Sequence, residues 1–316
     1  MQAAVVFNPV KSDQRALERA VAASAPADWE ETLWFETAAD DSGKQAILDA
    51  LAAEVDVILV SGGDGTVRIA ASLIARTNVP LTIIPAGTGN LLARNLGVDL
   101  VWLKQAVQTA FTGKDRTIDL AKIEVELEDG SRSNHGFAVI AGFGLDAAMI
   151  EQTDEDLKKK VGWLAYVQAI QKAFTRLDSV SLSIKVDGAT NRRIRVNTLM
   201  LGNCGLLQGN MRVLPDARLD DGKLDVAMLH AKNLRGWLQV LRYVIDNSLL
   251  FRRELRRRGL MKPPKSIPTL GYFQCKSVDA RLSEPRPLQL DGDVIGDIVA
   301  FRLTVDPDAL LVRVHA

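Results

Sequence analysis

Apolar residues in the first third of the chain come in short runs. Each run is stopped by small polar residues and followed by a stretch with apolar positions at helical spacing. The clearest case is 57–66, VILVSGGDGT. Its unbroken run of β-branched and leucine residues predicts a buried strand of a parallel sheet. The three glycines around one Asp predict a tight turn that a ligand can approach closely, and 66–76 (TVRIAASLIAR) predicts the helix that follows. The same alternation predicts strands at 3–7, 31–35 and 79–85, and helices at 13–23 (capped by Ser12), 40–53, 91–96 and 99–111. Strand and helix in repetition imply a parallel sheet with helices on its faces.

After Thr117 the texture changes. Strand-like runs joined by turn signals predict a hairpin of 118–127 with 133–140 around EDGS, and a second of 180–186 with 192–201 around Asp187-Gly188. Further strands are predicted at 223–229, 272–282 and 299–305, with helical stretches at 155–176 and 234–258. The second half therefore reads as β-rich and mainly antiparallel, a two-sheet sandwich with helical insertions. Residues 310–314 form a last short strand whose docking the pattern does not place.

Composition narrows the function classes. A length of 316 residues favours two domains, and 47% hydrophobic with 25% charged residues is ordinary for a folded soluble protein. Lys+Arg and Asp+Glu both number 39, so no net charge argues for a nucleic-acid partner. Cys204 and Cys275 lie far apart, and His135, His230 and His315 are scattered, which fits a reducing compartment and no Cys- or His-based metal site. Residues 1–10 run straight into a strand-like segment and no apolar run is long enough to span a bilayer, so a cytoplasmic protein with at most peripheral membrane contact is expected.

Three predicted strands end in turn chemistry: Asn8-Pro9, the turn Gly62, Gly63, Asp64, Gly65, Thr66, and the stretch 87–90 containing Thr88. Ligands of open α/β sheets bind at the carboxyl ends of strands, and a glycine turn opening a helix points free N–H groups at an anion, most often a phosphate. The turn is not a Walker A loop, because no Gly-Lys-Ser/Thr follows, and it is not G-x-G-x-x-G. Asp64 inside it puts a carboxylate beside the expected phosphates. That makes sense if Mg²⁺ sits between them or if Asp64 holds a loop in place.

SGGDGT, then IIPAGTGNLLARNLG at 83–97, LPDARLDDGKLDV at 214–226 and LQLDGD at 288–293, resemble the diacylglycerol-kinase-type lipid kinases, and the soluble bacterial branch most of all. The resemblance spans nearly the whole chain and extends to sphingosine and ceramide kinases. It implies an ATP-binding α/β domain (1–117, with the chain's end at about 306–316 returning to it) and a β-sandwich lipid-acceptor domain (118–305). ATP and Mg²⁺ are the implied cofactors, and the implied reaction passes the γ-phosphoryl group of ATP to a hydroxyl of a diacylglycerol-like lipid. By motif, Gly62, Gly63, Asp64, Gly65, Thr66 and Thr88 match nucleotide-binding positions, with Asn8 and Thr37 beside them. The carboxylate of Asp221 and the main-chain carbonyls of Arg218 and Lys223 match a structural Mg²⁺ loop, a hard-oxygen set suited to that ion.

Two positions depart from the family pattern. Arg68 stands where Asn is common, and could add charge near the phosphates or point to solvent. The terminal motif is Asp291-Gly292-Asp293 where Asp-Gly-Glu is usual. Transfer calls for a carboxylate base within hydrogen-bond reach of the acceptor hydroxyl, and Asp291 and Asp293 flank a glycine, so both could face a cleft. Asp291, which keeps the family's residue, is expected to carry more of that role than Asp293. Leu249, Leu250 and Phe251, followed by Arg252, Arg253, Arg256, Arg257, Arg258, Lys262 and Lys265, with Trp237 and Tyr243 upstream, could lie on an anionic membrane surface. The expected partner is a lipid substrate, with a homodimer left open. A small-molecule kinase acting on a ligand such as NAD, and a non-catalytic nucleotide- or lipid-binding protein, are the alternatives.

Overall fold

The computed structural model describes residues 1–38, 41–144, 179–208, 212–230, 236, 239 and 269–315. The first part alternates β1 (Ala3–Phe7), α1 (Gln14–Ala22), β2 (Leu33–Glu36), α2 (Lys44–Ala52), β3 (Val57–Gly62), α3 (Asp64–Ile74), β4 (Leu81–Pro85), α4 (Leu91–Leu96) and α5 (Leu103–Thr112). Its strands pair in parallel in the order β4-β3-β1-β2, with Val5 opposite Leu59 and Ser61 opposite Ile84. Side chains alternate across a strand, so Ala4, Val6, Ile58 and Val60 pack with α2 and α3 on one face. Ala3, Val5, Val57 and Leu59 pack with α1 and α5 on the other. Both faces are covered, which is why β1 and β3 read as unbroken apolar runs.

Two caps differ from expectation. Asp13, not Ser12, caps α1 by accepting from the Ala16 N–H at 3.1 Å. Ser12 instead turns its hydroxyl to Ser61, 2.9 Å between the two Oγ atoms, tying the β1 loop to the end of β3. Helix α2 begins later than predicted because Gly43 is left-handed (φ 88°), and Asp41 accepts from the Gly43 and Gln45 N–H groups ahead of it.

The second part comprises β5 (Lys114–Leu127), β6 (Arg132–Phe137), β7 (Ile140–Phe143), β8 (Val180–Val186), β9 (Arg192–Val196), β10 (Thr198–Gly202), β11 (Leu224–Leu229), β12 (Leu270–Cys275), β13 (Ser277–Leu290) and β14 (Asp293–Val314). Among themselves these strands pair antiparallel, and residues from β5, β6, β8, β10, β11, β13 and β14 share one core. The predicted strand 192–201 is two strands: β9 pairs with β8, whereas β10 runs between β7 and β11. The predicted 272–282 likewise divides into β12 and β13.

The expected strands 299–305 and 310–314 are one strand, β14. It pairs antiparallel with β5 and β13, and at Val312 it meets Leu81 of β4 in parallel, so hydrogen bonds run unbroken from the β-rich part into the α/β sheet. The predicted helix at 155–176 and the basic stretch from Leu249 to Lys265 lie outside the described residues, as does nearly all of 234–258.

Candidate active site

The carboxyl ends of β1, β3 and β4 open on one edge. At β3 the chain leaves Gly62, turns at Gly63, and enters α3 at Asp64. The neighbouring turn after β4 lies directly against it. A Cβ on Gly87 would come within 2.8 Å of the Gly63 Cα, so the lack of a side chain at Gly87 lets the two turns meet.

Asp64 locks this contact. Its carboxylate accepts from the Asn90 N–H at 2.9 Å and the Leu91 N–H at 2.6 Å, capping α4 from another element. Burial pushes its pKa up against those two bonds, and the nearby Asp293 carboxylate adds to the rise. Asn90, itself left-handed (φ 48°), bonds both backbone groups of Gly87 with its amide. Of the two roles open to Asp64 on sequence, holding a loop is the one its geometry displays.

Asn8 closes the β1 turn by accepting from the Val10 and Lys11 N–H groups at 3.0 and 3.2 Å. That turn delivers Lys11, whose Nζ lies 2.7 Å from where a Gly63 Cβ would be. Sequence reasoning passed over Lys11; a lysine three residues after Asn8 in a strand-end loop was the available signal. Thr37 is buried with its hydroxyl unpartnered among the described residues, and Thr66 is buried against Gly62, while Thr88 is exposed. An ammonium group, an unpartnered hydroxyl and a side-chain-free turn are a donor set that fits a polyphosphate.

Asp291 and Gly292 are the two central residues of the β13–β14 hairpin, with φ 51° and 99°, and Leu290 pairs with Asp293 across them. Positive φ at both positions is the type I′ geometry that Asp-Gly favours. Asp291 is buried (3% exposed) and accepts from the N–H groups of Ala138, Val139 and Ile140 at 3.0, 3.0 and 2.8 Å. Burial still raises its carboxyl to about 6. A carboxylate enclosed in this way holds a turn and does not reach a cleft, so its geometry speaks against the larger share of base work expected of it.

Asp293 faces the opposite way. Its side chain is 48% exposed, it lies over Gly65, and Arg68 Nη2 donates to its Oδ2 at 2.8 Å. Arg68 therefore neither points to solvent nor stands alone near the glycine turn.

In the loop 218–223, Asp221 accepts from the Lys223 N–H at 3.2 Å, and Asp220 pairs with Arg116 at 2.7 Å. Asp225 is raised first by burial, then by the carboxylates of Asp221 and Asp216. Among the described residues no three His, Cys, Asp or Glu side chains form a metal-binding group. Clustered negative charge with carbonyl donors still fits a hard cation at this loop. Its anchor is Asp119, a buried residue that the sequence reading missed. Asp119 accepts from the Gly222 N–H at 2.7 Å and the Asp308 N–H at 2.9 Å, and its own N–H donates to Leu219 at 2.6 Å.

Fold and site together define a two-part protein in which an α/β unit with a glycine turn at the start of α3 meets a carboxylate carried on a β-hairpin. Residues 2–123 match the diacylglycerol kinase catalytic domain, and 138–259 match the YegS C-terminal NAD kinase beta sandwich-like domain. The chain belongs to the diacylglycerol-kinase-type lipid kinase family. It is 31% identical over 179 residues to a diacylglycerol kinase of Mycobacterium tuberculosis (strain ATCC 25618 / H37Rv), covering 57% of this chain and 56% of that one. It thus spans little more than half the length of that relative. Over 301 residues it is 25% identical to a diacylglycerol kinase of Bacillus subtilis (strain 168), covering 93% of this chain and 90% of the relative. A crystal structure of a diacylglycerol kinase from Bacillus anthracis str. Sterne shares the fold, with a TM-score of 0.68 at 18% identity, covering 99% of this chain and 96% of that one.

Proposed function

We propose that this chain transfers the γ-phosphoryl group of ATP to a hydroxyl of a diacylglycerol-like lipid. The observation that carries the reading is the meeting of Asp293 with the glycine turn: a hairpin of the β-rich part sets an exposed carboxylate over Gly65, at the start of α3. Transfer of this kind needs positioning and charge neutralisation more than covalent help. The N–H groups of 63–66 and the Lys11 ammonium bind the phosphate chain. Asp64 holds the second glycine turn in register with the first. Asp293 takes the acceptor hydroxyl's proton, and Asp291 keeps the hairpin that presents it in place.

Mg²⁺ neutralises phosphate charge when bound, and a second, structural ion is assigned to the loop of Arg218, Asp221 and Lys223. We assign 1–117 with about 306–316 to the nucleotide side and 118–305 to the acceptor side. The pairing of Val312 with Leu81 supports this division. No helix among the described residues is long and apolar enough to cross a membrane, and we assign the lipid contact to peripheral association.

The test offers labelled ATP with Mg²⁺ to the purified protein, with diacylglycerol-containing vesicles in one arm and NAD in another. A labelled lipid in the first arm supports the reading. Label in NAD alone transfers the activity to a soluble acceptor, and label in neither removes the kinase assignment.

A further inference from the structure

Asp293 occupies a position that electrostatics alone does not favour. Asp64 lies close enough for the Asp293 carboxylate to raise its pKa, and a phosphate chain at the glycine turn would repel Asp293 further. The side chain is half exposed at the tip of a hairpin, so packing does not hold it. Its described tether is Arg68, one helical turn beyond Asp64 on α3. The Arg68 side chain is only 13% exposed, its Nη2 holds Asp293 Oδ2 at 2.8 Å, and its Nε is buried without a partner among the described residues. The same guanidinium is felt at Asp291 and at His135 on β6. It therefore stands where the nucleotide-side helix and the hairpin-bearing sheet meet.

We propose that Arg68 is the positioning residue of the transfer, a cation on the nucleotide-side helix that holds the Asp293 carboxylate over Gly65 against the repulsion of Asp64 and the phosphate chain. The inference rests on the lipid-kinase reading, in which Asp293 is the proton acceptor. It gives Arg68 a role through Asp293 and not through contact with the lipid. Lysine at the same place keeps the charge but loses the planar fork that fixes direction.

The experiment compares wild type, Arg68→Gln, Arg68→Lys, Asp293→Asn and the Arg68→Gln/Asp293→Asn double variant, with labelled ATP, Mg²⁺ and diacylglycerol vesicles. Thermal unfolding of each serves as the control for folding. Arg68→Gln is expected to lower kcat at least ~10-fold while KM for ATP stays within about 3-fold. Arg68→Lys should recover part of that loss. In the Asp293→Asn background Arg68→Gln should change kcat less than about 2-fold, because the group it positions is already gone.

A silent Arg68→Gln, or losses that multiply in the double variant, would overturn the positioning role while leaving the kinase reading intact. So would a loss that tracks the unfolding midpoint, with no rescue by lysine. If wild type labels no lipid at all, the kinase reading falls and this role falls with it.

Discussion

At Asp291, burial and hydrogen bonding act against each other. Three backbone N–H donors favour the carboxylate, yet burial dominates and moves the group from 3.8 to about 6. A folded-state pKa above the unfolded one means that the folded protein holds the proton more tightly. The stability from this group is therefore fully present below about pH 4 and is lost as pH rises through about 6. Denaturant unfolding of wild type and Asp291→Asn between pH 4 and 7 should show the wild-type advantage shrinking by roughly 2–3 kcal/mol over that window. A gap that is constant with pH would mean that the carboxyl titrates as in the unfolded chain. Asp293, two residues on, should behave differently. Asp293→Asn is expected to cut kcat by ~10²–10⁴-fold with unfolding nearly unchanged, whereas Asp291→Asn should cost ~1–3 kcal/mol of stability by leaving an N–H facing an amide NH₂. Paired kinetics and unfolding on both variants check the division of labour.

Among the elements, the two glycine turns act as one unit because Gly87 packs on Gly63 and Asp64 caps α4. Gly87→Ala should therefore lower ATP affinity by at least ~10-fold, since a one-ångström misplacement at such a site is costly. Calorimetric titration with ATP and Mg²⁺ measures this, and unchanged affinity would uncouple the turns. The loop 218–223 is a separate element. Asp221→Ala is expected to raise the Mg²⁺ concentration needed for the protein's full thermal stability, because a ligand that binds only the folded state stabilises it. Superimposable Mg²⁺ titrations of melting temperature for variant and wild type would leave the loop an ordinary turn.

Across the molecule, β14 joins the parts. It begins at the Asp293 hairpin and ends against β4, so the strand that presents the carboxylate also completes the sheet that carries the glycine turn. Asp119 fastens that strand and the 218–223 loop together through Asp308 and Gly222. Asp119→Ala would leave both N–H groups unpaired and should cost ~2–6 kcal/mol, taking each orphaned donor at ~1–3 kcal/mol. It should also reduce transfer by loosening the relation between hairpin and turn. Denaturant unfolding and lipid kinase rates, measured together, test both effects.

The alternation of apolar runs and glycine-rich turns was enough to read out the parallel α/β unit, the hairpins at 128–131 and 187–188, and the strand-end turns. In each, local backbone preference and burial periodicity agree. Asn8, Gly62, Gly63, Asp64 and Gly65 were visible for the same reason: turn chemistry is local. What was not local stayed hidden. Asp291 and Asp293 look alike in sequence and differ because a type I′ hairpin buries one and exposes the other. Arg68 gained a partner 225 residues away. The division of 192–201 and 272–282, and the union of 299–305 with 310–314, were set by which neighbouring strands offered hydrogen bonds. Pairing across a sheet is a property of the assembled fold, and no period along the chain encodes it.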